Sequence, residues 1–284
     1  MHVEPCSCAG PWEPSVSAHA CEVVEHRAVN RRYRYLRVRA AAPVAHATQP
    51  GQFYQLQCPV SEQHQPFLLR PMSVYGMGPE AGDVEFLYNV TGLGTRALAQ
   101  LEVGDAMSMV GPLGRPFNLD RHARRLLLVA RGVGLATMAP LVQRAARAGV
   151  GLTIVMSART PEDLMKDAFL RGAPADTHCV FDSDGTSSVP RMETLLRTLI
   201  ERDRPDAVYT CGSQRVLALL QRLLSEYPEI AGEVALEQRM ACGMGVCLSC
   251  VRMFDDGHTR QFQRVCREGP VFAIRDVVGE VDFA

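Results

Sequence analysis

The chain has 284 residues, enough for two domains or one large one with a sizeable core. Hydrophobic residues make up 47% and charged residues 21%, an ordinary globular composition. The formal net charge of −1 gives no electrostatic reason to expect nucleic acid or an anionic membrane as partner. No apolar run reaches the roughly 18 residues of a transmembrane helix. The N-terminal "MHVEPCSCAGPWEPSVSAHA" has neither the basic start nor the apolar stretch of a secretory signal. A cytoplasmic, reducing location is therefore expected, and there clustered cysteines are more often metal ligands than disulfides.

Residues 1–18 are rich in Pro, Ser and Gly and read as a tail. Cys6 and Cys8 within it read as two thiols on a flexible segment, since a lone C-x-C is a weak metal signal. From 19 to 120 the pattern is that of strands. In "YLRVRAAA", Leu36, Val38 and Ala40 alternate with Arg37 and Arg39; in "FYQLQC", Tyr54, Leu56 and Cys58 alternate with Gln55 and Gln57. Period-two alternation marks half-buried strands. "DVEFLYNV" and "DAMSMVG" are further candidates, and "QPGQ", "MGPEAGD" and "GPLGRP" supply turns. Several short strands at this spacing predict an antiparallel barrel.

From 121 to 235 strands alternate with helices. "RLLLVA" leads through Gly132 and Gly134 into the helical "LATMAPLVQRAARAG". "LTIVMSA", "HCVFD" and "DAVYTCG" are further strands; "EDLMKDAFLRG", "PRMETLLRTLIER" and "SQRVLALLQRLLSEY" are helices, the second able to start at Pro190. This order predicts a parallel, doubly wound sheet, and hence an α+β multidomain chain. The ligand crevice of such a sheet lies at the carboxyl ends of its strands, where Gly132/Gly134 and Cys211/Gly212 fall. A lone G-x-G is weak without its context, so these glycines read either as a dinucleotide cradle or as close helix–strand packing. Cys211 reads as a flavin neighbour or a small buried core residue, and Cys21, Cys58 and Cys179 as core. The eight histidines show no ligand spacing.

The remaining stretch, 236–284, holds Cys242, Cys247, Cys250 and Cys266 at C-x4-C-x2-C-x15-C. The first three have the spacing of plant-type 2Fe–2S ferredoxins, with a fourth cysteine downstream. Gly243 and Gly245 let backbone amides approach the sulfides and so tune the potential. Zinc sites more often pair two C-x2-C knuckles, which this first pair is not. A 2Fe–2S centre is the expectation, with zinc or a plain thiol loop as the alternatives. A cluster that carries one electron at a time is often served by a flavin. Three fragments suit one. Arg70 offers a phosphate fork, Ser73 a hydroxyl, and Gly94–Thr95 the free amides of a helix start. Each alone is weak: Arg70 can equally be a surface ion pair, and the glycines a turn.

Taken together, "RPMS", "LYNV", "GLGT", "MACGMGVCLSC" and "RVCREGPVF" resemble the ferredoxin–NADP reductase superfamily. Within it they are similar to the electron-transfer subunit of the two-component, NAD-linked dihydroorotate dehydrogenases. The resemblance covers nearly everything after the tail. It implies that NAD(H) exchanges a hydride with FAD and that a 2Fe–2S cluster relays single electrons to or from a flavin-containing catalytic partner subunit. It also implies that Arg70, Pro71, Met72, Ser73, Leu87, Tyr88, Asn89, Gly94 and Thr95 line the FAD. The chain departs from the family in "VARGVGLATMAPL", where Ala130 and Arg131 stand at expected glycines while Gly132, Gly134 and Pro140 remain. Arg131 there can crowd a nicotinamide or reach a nucleotide phosphate. The family's "CGP" appears as "CGS" (Cys211, Gly212, Ser213), and its acidic segment as "DSDGT". Two other readings follow from these departures: a subunit of the same build serving another oxidoreductase, or an FAD/2Fe–2S relay that has lost nicotinamide binding.

Overall fold

A computed structural model of the chain describes residues 16–41 and 48–279; Cys6 and Cys8 lie outside the described residues. The first part is a barrel of β1 (Ser17–Ala28), β2 (Tyr33–Ala40), β3 (Phe53–Leu56), β4 (Arg70–Met77), β5 (Asp83–Asn89), helix α1 (Leu93–Leu98) and β6 (Ala106–Leu113). The strands close in the order β1-β2-β5-β4-β3-β6, every neighbour antiparallel, so no edge is left open. Val23, Leu36, Val38, Tyr54, Leu56, Phe86 and Met109 fill the interior, with Tyr54 edge-on to Phe86 at 6.1 Å. β1 starts at Ser17, within the stretch expected to be tail, because Ser17–Glu22 pair with β6.

One alternation fails. Gln57 is exposed as expected, but Gln55 is buried between two buried neighbours, because the cysteine loop covers that face of β3.

The α/β region contains β7 (Arg125–Arg131), α2 (Gly134–Arg147), β8 (Gly151–Ala158), α3 (Lys166–Leu170), β9 (Asp176–Phe181), α4 (Val189–Asp203), β10 (Ala207–Cys211), α5 (Gln214–Ser225) and β11 (Ala231–Ala235). The C-terminal region adds a hairpin of β12 (Val251–Asp255) and β13 (Arg260–Arg264), then β14 (Val271–Ala273). The main sheet runs β14-β11-β10-β7-β8-β9, parallel except for β14. The chain winds outward from β7 to β9, then returns to β10, which puts the topological switch between β7 and β10. Among the described residues no helix is long and apolar enough to cross a membrane.

Details differ from the sequence reading. The expected helix over 162–172 splits into a 3-10 turn at Pro161–Asp163 and the five-residue α3. Cys179 is exposed rather than core, because β9 is the edge strand. β11 and the antiparallel β14 were not anticipated; both are short.

Helix α2 packs on β4, joining barrel to sheet. Phe117, just past β6, meets Tyr209 of β10 edge-on at 5.6 Å, and the Tyr209 hydroxyl donates to the Asn118 carbonyl at 2.5 Å. The Asn118 amide donates to Glu233 Oε2 at 2.9 Å. Gly269–Val271, leaving the cysteine region, run beside the same exit: the Arg115 amide donates to the Gly269 carbonyl at 2.5 Å, and Arg115 bridges to Pro270 before β14 joins the sheet.

Burial at this seam pushes the Glu233 carboxyl up from 4.5 to about 7, against the pull of the Asn118 amide. The unfolded chain loses this proton near 4.5, while the folded chain keeps it to about 7. Folding stability therefore falls as pH rises through that window, and the penalty is constant above it. Glu233→Gln should match the parent near pH 4.5 and exceed its Tm at pH 8 by ~3–6 °C, for roughly 1–2 kcal/mol. Thermal denaturation at both pH values checks this; an equal gain at both removes the titration as its cause.

Candidate functional site

Arg70 opens β4, and its fork lies against the first turn of α1. A Cβ added at Gly94 would stand 2.2 Å from Arg70 Nε and 2.5 Å from Cζ. Nη1 of Arg70 donates to the Leu68 carbonyl at 2.6 Å and the Leu69 carbonyl at 3.2 Å, which fixes the fork. The two elements singled out for a phosphate thus meet. Thr95 Oγ1 is committed to its own loop, accepting from the amides of Thr91 (2.9 Å) and Gly92 (3.0 Å). Pro71, Met72 and Ser73 follow along β4, half-buried and facing Gln55, Tyr54 and Phe53 of β3. On β5, Leu87 is buried toward the α/β region and Asn89 is half-buried. Tyr88 points into the barrel, its hydroxyl paired with His26 Nε2 at 2.9 Å. That position therefore offers a ligand its backbone rather than its ring.

The carboxyl ends of β7 and β10 bring Gly132, Gly134, Cys211 and Gly212 together. A Cβ at Gly134 would lie 2.6 Å from the Cys211 carbonyl carbon and oxygen, and one at Gly212 2.2 Å from the Arg131 carbonyl oxygen. Only glycine permits this approach at the N-terminus of α2, where free amides suit an anion. Arg131 turns away from the crevice. Its Nη1 donates to Ser157 Oγ at 2.7 Å, and its fork grips Asp182 at 3.2 and 2.6 Å, along the ends of β8 and β9. Arg131 and Ser187 Oγ together hold the Asp182 carboxyl below its usual range. The guanidinium expected either to block or to grasp a nucleotide is thus already paired. Arg159, just past β8, is exposed.

Cys211 is buried, and burial raises its thiol, with Glu237 adding to the rise. A cavity of about 250 Å³ lies here, lined by Cys211, Gly212, Ser213, Leu236 and Glu237. Glu237 keeps contact with solvent, and partial desolvation by its surroundings raises its carboxyl as well. The sequence reading passed over Glu237; its one signal was an acid directly after the apolar end of a strand.

The four cysteines fall into two pairs. Cys250 and Cys266 are buried with sulfurs 3.2 Å apart, and the Cys266 amide donates to Cys250 Sγ at 3.5 Å. Cys242 and Cys247 form an outer pair, the Cys247 amide donating to Cys242 Sγ at 3.5 Å and the Met244 amide at 3.4 Å. Gly243 (φ 71°) and Leu248 (φ 60°) take the left-handed backbone that lets the loop turn its amides inward. Ser249, by side-chain and backbone hydrogen bonds, holds the Cys247 thiol down to about 6. Desolvation raises Cys242, but the amides of Cys247 and Met244 bring it below the usual range. Burial and the neighbouring Cys250 push Cys266 up to about 12. Among the described residues no three such side chains gather round one point. Two sulfurs on each side, with amides aimed at a ligand sulfur, fit a dinuclear iron–sulfur cluster.

Gly94→Ala should displace the Arg70 fork. If that fork holds a flavin phosphate, flavin affinity falls about tenfold, or ~1.4 kcal/mol. The ratio of flavin to protein absorbance after dialysis reads this out; full retention would separate Arg70 from flavin binding.

Comparison with known proteins places this geometry. Residues 237–278 match the family model described as the iron–sulfur cluster binding domain of dihydroorotate dehydrogenase B. The chain is 31% identical over 240 residues to the dihydroorotate dehydrogenase B (NAD(+)) electron transfer subunit of Desulforamulus reducens, covering 84% of this chain and 90% of that one. It is also 31% identical over 237 residues to the subunit of the same name from Shouchella clausii, covering 83% and 88%. Among solved structures, it superposes with TM-score 0.75 and 25% identity on an NADH-dependent reduced ferredoxin–NADP oxidoreductase studied for flavin-based electron bifurcation, covering 91% and 90%. The ferredoxin reductase of carbazole 1,9a-dioxygenase, at 24% identity and TM-score 0.62 over 78% and 70%, shares the fold. The chain belongs to the family of dihydroorotate dehydrogenase B electron transfer subunits.

Proposed function

We propose that the chain is an NAD-linked reductase component. It passes electrons between NAD(H), FAD and a 2Fe–2S cluster, and on to or from a flavin-containing catalytic subunit of the dihydroorotate dehydrogenase type. The observation that carries this reading is the two-by-two arrangement of Cys242/Cys247 and Cys250/Cys266 within a segment matching that family's cluster domain. When bound, the flavin accepts a hydride and releases electrons singly, and the cluster carries them one at a time. Arg70 and the α1 amides hold the flavin phosphates, with Pro71, Met72, Ser73, Leu87, Asn89 and the backbone of Tyr88 flanking. Gly132, Gly134 and Gly212 let a dinucleotide lie close to the backbone at the β7/β10 switch. Cys211 and Glu237 border the same crevice.

Arg131, anchored on Asp182 and Ser157, leaves this crevice open, which favours retained nicotinamide binding over a relay that has lost it. The electron exit is the outer cysteine pair. Cys247 is exposed and ringed by exposed Met244, Val246 and Leu248, an apolar rim suited to a partner's surface. The free cysteines of the described residues support a reducing, cytoplasmic setting. A subunit of this build serving another oxidoreductase is the second reading, and the protein that co-purifies decides it.

Anaerobic protein should show flavin bands and broad 2Fe–2S absorption, both bleached by NADH. Bands that only a chemical reductant bleaches would remove the nicotinamide step. Cys247→Ser should abolish the cluster absorption while FAD stays bound. Val246→Asp should keep both spectra yet weaken association with the catalytic subunit by about tenfold or more; undiminished association would place docking elsewhere.

A further inference from the structure

We infer that Gln55 is a positioning residue, holding the cluster loop on β3, the strand beside the flavin motif, and setting the surroundings of Cys242. The inference rests on the cluster reading above. Gln55 lies mid-β3 on the outward face, between the inward Tyr54 and Leu56, yet it is 0% exposed. What covers it is the cysteine loop. Its Nε2 donates to the Ala241 carbonyl at 3.4 Å, and a Cβ at Gly243 would lie 2.5 Å from Nε2 and 2.7 Å from Cγ. One carboxamide thus touches the residues on both sides of Cys242. In the barrel its register partners are Pro71, within the flavin motif on β4, and Val110 on β6. A single side chain on β3, beside the strand that carries the flavin motif, therefore reaches the residues flanking the first cysteine of the cluster.

The side chain is costly as mere filling. Its Oε1 is buried without a hydrogen-bond partner among the described residues. Leaving such an oxygen buried and unpaired is destabilising, which a methionine of the same length would avoid. Broken rules of this kind concentrate at functional sites. A carboxamide has two N–H donors and an acceptor oxygen, so one N–H and Oε1 remain for the loop beside Cys242. Cys242 Sγ accepts from the Met244 amide, which directly follows the backbone that Gln55 grips, and from the Cys247 amide further along the same loop. Hydrogen bonds to ligand sulfurs and exposure to solvent set a cluster's potential, and partners behind the ligands hold their geometry. Gln55 therefore governs the cluster's potential and its seating on β3, with no direct part in holding either group.

The test uses the full chain with both cofactors. Gln55→Met removes the polar atoms, Gln55→Glu removes the N–H donors, and Gly243→Ala pushes the same contact from the loop side. Flavin and iron per chain, the cluster potential by EPR-monitored titration, and stopped-flow reduction by NADH are measured. In all three variants flavin content and its rate of bleaching by NADH should stay within about twofold. The cluster should become harder to reduce, and its bleaching should slow about tenfold or more, as for other losses of a residue behind a metal ligand. Unchanged potential and unchanged cluster bleaching in both Gln55 variants would overturn the inference, whatever Gly243→Ala does, since its left-handed backbone makes that change strained in itself. So would loss of flavin in step with iron, which would make Gln55 a packing residue of the barrel. Parent protein with flavin but no iron would instead refute the cluster reading itself.

Discussion

Three separately built regions meet where the chain leaves the barrel, and the rest of the molecule depends on that seam. The Arg115 amide is held by the Gly269 carbonyl, and Phe117 stands edge-on to Tyr209. Pro270–Val271 then lead directly into β14 at the sheet edge. The segment that closes the cysteine region therefore also bridges the barrel and completes the sheet. Electron transfer needs centres at fixed separations, and a seam shared by all three regions supplies that rigidity better than pairwise linkers would. The aromatic contact of the seam, Phe117 on Tyr209, is buried, while the hydrogen bonds through Arg115 and Asn118 lie at its solvent edge.

Glycine does different work at the three candidate sites. At Gly94 and Gly134 the missing Cβ allows a guanidinium or a neighbouring strand end to come within contact. At Gly243 the backbone itself is left-handed, and the same residue leaves room for Gln55. Arg131 shows how a departure from the family pattern can be absorbed. A long cation in place of a glycine would obstruct the crevice, but Asp182 and Ser157 draw it aside onto β8 and β9. The pairing also cancels its charge, so the site keeps the electrostatics of an uncharged loop.

Much of this was legible in the chain. Period-two runs such as Leu36, Val38 and Ala40 located the barrel, because one face of each strand is core and the other solvent. The cysteine spacing specified its chemistry because few centres share it. What escaped detection was set by tertiary contact. Gln55 obeyed the outward face of its strand, and only the loop from 186 residues later buries it. β11 and β14 are five and three residues long, too short for periodicity to register. Cys179 sits in an apolar run, yet edge position exposes it. Tyr88 falls within a motif whose side chains seem equivalent in sequence, while strand alternation sends its ring inward to His26.

The inner and outer cysteine pairs have different relations to water. Cys250 and Cys266 are sealed, whereas Cys247 stands in the open. An exposed sulfur is open to oxidants in the solvent in a way that a sealed one is not. On the proposed route, the face that passes an electron is thus also the face that solvent reaches. On the proposal that the partner docks on this face, assembly would also shield the outer cysteines from air, so the durability of the iron site would belong to the complex rather than to the subunit alone.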